Sequence, residues 1–175
     1  VHDTPGFFLT RADARELLGT ARHPRMAAFY RKQRQRMGIL VTDTGEPVGG
    51  QWSFDADNRK RLPAKVAATL PPWPWPEQSA AAAPLLAFPV TPPAAREWLQ
   101  RFVTERLVSF GPYEDAMHPG ASLIFHAAIT PMLNHGLLTP REVLDAVLDA
   151  SAHQDAVPIA SLEGFIRQLI GWREY

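Results

Sequence analysis

No cysteine occurs in the 175 residues, so the chain by itself can form no disulfide, thiolate nucleophile, Cys-ligated zinc site or iron–sulfur centre. It has no apolar run near the ~20 residues needed to span a bilayer, and its first residues do not resemble a signal peptide. Net charge is zero, with 18 Lys+Arg against 18 Asp+Glu. A hydrophobic content of 46% with 21% charged residues is too apolar for intrinsic disorder. The length suits one domain or parts of two.

The charge is unevenly laid out. Residues 1–65 carry twelve basic and seven acidic side chains, which leaves six basic and eleven acidic in residues 66–175. This asymmetry predicts a basic surface beside an acidic one, either a solvated face or a phosphate-tracking patch. The basic run from Arg31 to Arg36 and the triplet Arg59-Lys60-Arg61 are the candidates for salt-sensitive phosphate contacts.

Proline is abundant, at 17 residues, and nine of them fall between Val48 and Pro93. This stretch includes Pro71-Pro72-Trp73-Pro74-Trp75-Pro76 and the alanine tract 80–83. Proline removes amide donors and fixes φ, so the segment reads as an extended connector. Its tryptophans read first as packed onto the rest of the protein, second as a ligand for an adaptor domain, as a non-enzymatic interaction module would present them.

On either side the pattern is helical. Thr10 with Asp13 predicts a capped helix start and Gly19 a stop. A second helix is expected from about Pro24 to Gly38, with Met26, Phe29, Tyr30, Gln33 and Met37 on one side and Arg31, Lys32, Arg34 and Arg36 on the rest. Ile39-Leu40-Val41 reads as a strand and Asp43-Thr44-Gly45 as a turn. Ala95, Trp98, Leu99, Phe102 and Val103 recur at helical spacing until Phe110-Gly111-Pro112. Residues 122–134 read as a helix bent or interrupted at Pro131, with Gly136 as its stop. Thr139-Pro140-Arg141-Glu142 is a capping box with proline in the first helical position, leading into a stripe of Val143, Ala146, Val147 and Ala150. A last helix is predicted from Ser161, still running at Tyr175. The missing initiator methionine, the two helices with few strands before Val48, and the uncapped last helix together suggest an internal piece of a longer protein.

Four strings stand out: Gly49-Gly50-Gln51-Trp52-Ser53-Phe54-Asp55-Ala56-Asp57-Asn58-Arg59-Lys60; Phe110-Gly111-Pro112-Tyr113-Glu114-Asp115-Ala116-Met117; Leu133-Asn134-His135-Gly136-Leu137-Leu138-Thr139-Pro140-Arg141-Glu142-Val143; and Gly164-Phe165-Ile166-Arg167-Gln168-Leu169-Ile170-Gly171-Trp172-Arg173-Glu174-Tyr175. In this order they resemble the photolyase/cryptochrome superfamily, in particular its branch of iron–sulfur bacterial cryptochromes and (6–4) photolyases. The resemblance spans the chain from Phe7 to Tyr175.

The resemblance implies a mainly α chain. Residues 1–47 would close an α/β (Rossmann-like) antenna domain, residues 48–93 would form the interdomain connector, and residues 94–175 would open an all-α FAD-binding domain. It implies a blue-light-driven lyase that repairs UV pyrimidine photoproducts in DNA, the (6–4) lesion first, by electron transfer from reduced FAD. A photosensory cryptochrome without repair activity is the alternative within the family. The partners implied are UV-damaged DNA and the remainder of the same polypeptide, with no membrane, in a monomer of the bacterial cytoplasm. A [4Fe-4S] cluster and a lumazine-type antenna would be bound largely outside these residues. Taken alone, the 175 residues are expected neither to hold FAD tightly nor to repair DNA.

Site residues carry over one by one. Tyr113 matches a tyrosine beside the flavin phosphates, where a phenol can donate a hydrogen bond. The stretch Ala121-Ser122-Leu123-Ile124-Phe125 stands where the family lines the phosphates and ribityl chain, but only Ser122 keeps a hydroxyl. Side-chain contacts there are therefore in question, and a helix N-terminus could serve instead. Gln168 and Trp172 match the substrate cavity and Arg173 the flavin. Gly171 is one residue more than the family motif has between the glutamine and the tryptophan, and one residue turns a helical face by ~100°. No metal ligand set is assigned. His118, His126 and His135 form no metal-binding pattern, and Asp55 and Asp57 read first as a turn or cap, second as a cation site near DNA phosphates.

Overall fold

The computed structural model describes residues 5–20, 22–70, 88–121, 123–153 and 157–175. The proline–tryptophan stretch, the alanine tract and Ser122 lie outside the described residues. The architecture is mainly α, as expected. Among the described residues the only β pairings are two isolated bridges, Val41 with Pro47 and His118 with Ala121.

Local signals set most helix ends. α1 (Arg11–Leu18) carries a complete capping box: Asp13 N donates to Thr10 Oγ1 at 3.1 Å, and Thr10 N donates to Asp13 Oδ2 at 3.0 Å. α2 (Met26–Met37) ends on Gly38, whose φ of 66° is the left-handed conformation that lets its amide close on the carbonyls of Arg34 and Gln35. It buries Phe29, Tyr30 and Gln33 as expected, but also Arg34, which the helical pattern placed with the basic residues on the remaining sides.

That burial explains why Ile39-Leu40-Val41 is not a strand. The Arg34 guanidinium donates to the carbonyls of Ile39 at 3.2 Å, of Leu40, and of Trp52 at 3.1 Å. The chain wraps this cation, with Leu40 at φ 51°, and no neighbouring ladder competes. Trp52 closes the wrap from above, its ring 5.0 Å from Arg34 and 4.6 Å from Arg31. Asp43-Thr44-Gly45 is the expected turn, with Gly45 at φ 81° and its amide on Thr42 O at 2.8 Å.

The first part of the connector is irregular but not featureless, with 3₁₀ turns at Val48–Gly50 and Asp55–Asp57 and a single helical turn, α3 (Ala64–Ala67). α4 (Pro92–Glu105) buries Ala95, Trp98, Leu99, Phe102 and Val103, the predicted stripe. It breaks at Arg106, five residues before the predicted stop, and resumes as α5 (Leu107–Phe110). The helix expected over 122–134 shrinks to α6 (Thr130–Asn134). Pro131 sits in the first turn of this helix and does not bend a longer one, because an interior proline would forfeit a hydrogen bond and clash, at a cost of about 3 kcal/mol. Ahead of it the chain takes an irregular course, with Ala128 at φ 50°, and the buried indole of Trp98 donates to Ala127 O at 2.8 Å.

α7 (Pro140–His153) starts at the predicted box, with Thr139 N on Glu142 Oε2 at 2.8 Å and Glu142 N on Thr139 Oγ1 at 3.2 Å. α8 (Ile159–Ile166) begins two residues before the predicted Ser161. The hydrogen bonding then widens into a π-helical segment, Arg167–Trp172, and the helix closes there, short of the predicted run to Tyr175. α4, α5, α7, α8 and the π segment surround one core, in which Phe102, Phe110 and Phe165 meet with ring centroids 4.9 to 6.0 Å apart. α2 joins the same core through Tyr30.

Candidate functional site

The π segment decides how the last motif is displayed. A π turn closes on i→i+5 hydrogen bonds and so holds one residue more than an α turn, and such single turns recur at functional sites. Gly171 lies within this π segment, and its lack of a side chain has a packing reason. A Cβ there would lie 3.2 Å from Tyr30 Cδ2 and 3.5 Å from Met26 Sδ, inside the α2 contact. The Arg173 amide returns to Gln168 O at 3.1 Å. Gln168, Trp172 and Arg173 all line one hollow.

That hollow measures about 470 Å³. Its walls are mostly apolar: Phe110, Phe165 and Leu169 from the core, residues 127–130 and Leu133 from the stretch around α6, and Phe7 from the N-terminal segment. Volumes of this size suit a small molecule or a planar heterocycle. Trp172 is 51% exposed and meets Tyr175 edge-on at 6.2 Å. Arg173 donates to Asn134 Oδ1 at 2.9 Å and to Gly6 O at 3.3 Å, and lies 5.1 Å from the Phe7 ring; its Nε is buried without a hydrogen-bond partner.

Glu174 holds Phe7 in this wall from behind. Its carboxylate accepts the Phe8 amide at 3.0 and 3.1 Å and the Leu9 amide at 3.0 Å. Burial pushes this carboxyl above its ordinary value, while those amides, Arg173 and Arg36 pull it down. Replacing Glu174 with alanine orphans both amides and is expected to cost about 2 kcal/mol. Amide hydrogen exchange at Phe8 and Leu9 should accelerate, and unchanged exchange there would refute this anchoring role.

Below Gln168 lies a buried polar cluster that the sequence reading missed. Arg167, 5% exposed, sits among three carboxylates: Asp55 Oδ1 at 3.1 Å, Glu114 Oε2 at 3.1 Å and Glu163 Oε1 at 3.5 Å. Glu163 is fully buried and also accepts the Phe54 amide at 2.9 Å. Glu114 accepts Asn58 Nδ2 at 3.2 Å and the side-chain amide of Gln168. Burial pushes the Glu114 carboxyl above its ordinary value of 4.5 against the pull of Arg167, Asn58 and Gln168. The signal was present in the i,i+4 pair Glu163–Arg167, set in an otherwise apolar helix. Such charges are buried only with partners.

The other expected site residues lie elsewhere. Tyr113 does not line the hollow. It sits in a turn after α5, its ring 5.5 Å from Phe125, in a satellite core with Ile124, Ala116, Leu62, Val66 and Leu70. Leu123, Ile124 and Phe125 are buried, and no helix begins there to offer its N-terminus. Asp55 is held by Arg167 and Arg59. His126 Nε2 lies 3.0 Å from Glu114 O, and His118 Nδ1 accepts the Gly120 amide at 3.2 Å. Among the described residues, no helix is long and apolar enough to cross a membrane, and no three His, Asp or Glu side chains are placed to hold a metal.

Against known proteins, residues 1–88 match the family model described as deoxyribodipyrimidine photo-lyase-related protein. A (6-4) photolyase of Agrobacterium fabrum is 33% identical over 168 residues, covering 86% of this chain and 32% of that protein. Two uncharacterized proteins of Acanthamoeba polyphaga mimivirus are similar over shorter stretches. One is 48% identical over 63 residues (36% of this chain, 48% of that protein), the other 32% over 69 residues (37% and 35%). The chain thus spans from a third to a half of the length of the relatives it matches.

Proposed function

Since the chain belongs to the deoxyribodipyrimidine photo-lyase-related protein family, we propose that it forms part of a light-driven photolyase acting on UV pyrimidine photoproducts in DNA, the (6–4) lesion first. In this reading residues 1–47 close an antenna domain, residues 48–93 connect, and residues 94–175 supply one wall of the FAD and substrate cavity. The observation that carries it is the shared hollow of Gln168, Trp172 and Arg173, displayed from the π segment that contains Gly171.

The hollow fits the ring end of such a cofactor or substrate. Its walls are mostly apolar, and Gln168 offers an amide among them. Bound reduced FAD supplies the light-driven electron; the protein supplies position and electrostatics. Trp172, half exposed at the rim, presents an indole face on which an extruded base can stack. Flipping costs a few kcal/mol and is least costly at a damaged step. Tyr113 and residues 122–125 would act on the phosphate side only in a longer assembly. With no cysteine, these residues contribute no ligand to an iron–sulfur cluster.

The test uses the polypeptide that carries this chain, loaded with FAD under reducing conditions and mixed with an oligonucleotide holding one (6–4) photoproduct. Blue light should restore the lesion to two pyrimidines, with no conversion in the dark. Equal lesion content under both conditions would overturn the proposal.

A further inference from the structure

Gln168 reaches the hollow with its polarity already chosen. Its Nε2 donates to Glu114 Oε1, while its own carbonyl oxygen accepts no hydrogen bond among the described residues. Glu114 is itself held by Asn58 Nδ2 and Arg167 Nη2, and its backbone carbonyl by His126. An ionised carboxylate only accepts, so it can face only the NH₂ end of a neighbouring amide. Turned the other way, Gln168 would set its oxygen against the carboxylate, two acceptors with no proton between them.

We propose that Glu114 is a positioning residue that fixes Gln168 with its carbonyl oxygen towards the hollow, so that the hollow selects ligands presenting an N–H donor, such as the imide of a pyrimidine or flavin ring. Only the ligand class rests on the photolyase reading; the orientation rests on the hydrogen bonds. A glutamine without such a partner can present either end, because its O and N are nearly the same in shape. Asn58 ties the arrangement to the connector, since it also donates to Ala160 O at 3.2 Å.

The test follows the side-chain amide of Gln168 by NMR in the full chain, with Glu114→Gln and the conservative Glu114→Asp beside the wild type. Exchange of the Gln168 Nε2 protons with water should be about tenfold slower in the wild type than in Glu114→Gln, and slowed again in Glu114→Asp. A residue that merely supports the fold would change the melting temperature without moving this signal. Should Glu114→Gln fail to fold, the wild type alone decides. Its Gln168 amide shifts must titrate with the Glu114 carboxyl carbon, distinguished from the neighbouring Asp55, Asp115 and Glu163 carboxyls, from Arg167 and from His126. Amide protons that ignore the Glu114 titration, or that are alike in folded wild type and Glu114→Gln, overturn the proposal.

A second arm uses lumiflavin and its N3-methyl derivative as probes. The wild type should prefer the N–H form about tenfold and Glu114→Gln should not. Binding of both forms alike in the wild type sinks the selection. Binding of neither form, with the Gln168 amide held, counts against the flavin reading and upholds the orientation.

Discussion

Alanine at Gly111 is expected to destabilise the chain by about 3 kcal/mol, the upper part of the range for overpacking a filled core. Gly111 follows α5 where it meets the first turn of α8. A Cβ there would stand 2.7 Å from Ser161 N and 2.8 Å from both Ala160 C and Ser161 Cα. All three are backbone atoms, so no rotamer change can relieve the overlap, and the two elements must part. Parting breaks a relay of two hydrogen bonds: Gly111 N donates to Ser161 Oγ at 2.9 Å, and that hydroxyl donates to Val108 O at 3.0 Å. The effect is steric, because Gly111 has an ordinary helical φ of −55°. For a chain of this size the loss corresponds to a fall in melting temperature of about 6–12 °C. Gly120→Ala, where the nearest group is the movable His118 ring at 3.3 Å, serves as the control. A Gly111→Ala variant that melts with that control would show that α5 and α8 separate freely.

Arg167→Met should cost more, about 3–5 kcal/mol, because it strands buried carboxylates without their cation. Glu163 has no exposed surface and Glu114 very little, and Arg167 is the cation that touches both. The pH dependence has a definite sign. Glu114 titrates above its ordinary 4.5 in the folded chain, chiefly through burial, and loss of Arg167 drives it further in that direction. A carboxyl raised by folding contributes stability that is complete below its unfolded value and lost as pH climbs through the folded value. The deficit of Arg167→Met should therefore be smallest near pH 4.5 and largest above neutrality, as read from urea midpoints. Adding Glu163→Gln should recover part of it at neutral pH. An equal deficit at every pH would mean that Arg167 acts through packing alone.

The parts of this fold that could be read in advance are those whose causes are local. Thr10 with Asp13 and Thr139 with Glu142 satisfy orphan amides within four residues, so the chain itself contains the answer. The α4 stripe is equally local, since period alone puts Trp98, Phe102 and Val103 on one face. The misreadings have distant causes. Leu123, Ile124 and Phe125 are as apolar as a helix face, but Pro131 prefers a first turn and the Trp98 indole takes the Ala127 carbonyl. Arg34 read as part of a basic patch, solvated or phosphate-binding, because the carbonyls it serves belong to residues 39, 40 and 52.

The candidate site divides in the same way. The closing motif marked out Gln168, Trp172 and Arg173 as a group, and the structure brings them to one hollow. Their common display rests on a π-helical hydrogen-bond pattern that composition does not show. Glu114 stood out only as one letter of a motif, since its partners Asn58, Arg167 and Gln168 lie more than fifty residues away in sequence. Tyr113 packs beside Phe125, a pairing that no periodicity shows.

The seat of Tyr30 has a consequence for how the molecule holds together. Because α2 presses on the π segment as a knob against a flat, glycine-made face, the two ends of the sequence share buried surface whatever route the chain takes between them. Cutting the backbone midway should then yield two pieces that find each other again, a split protein whose reassembly reports on that one contact.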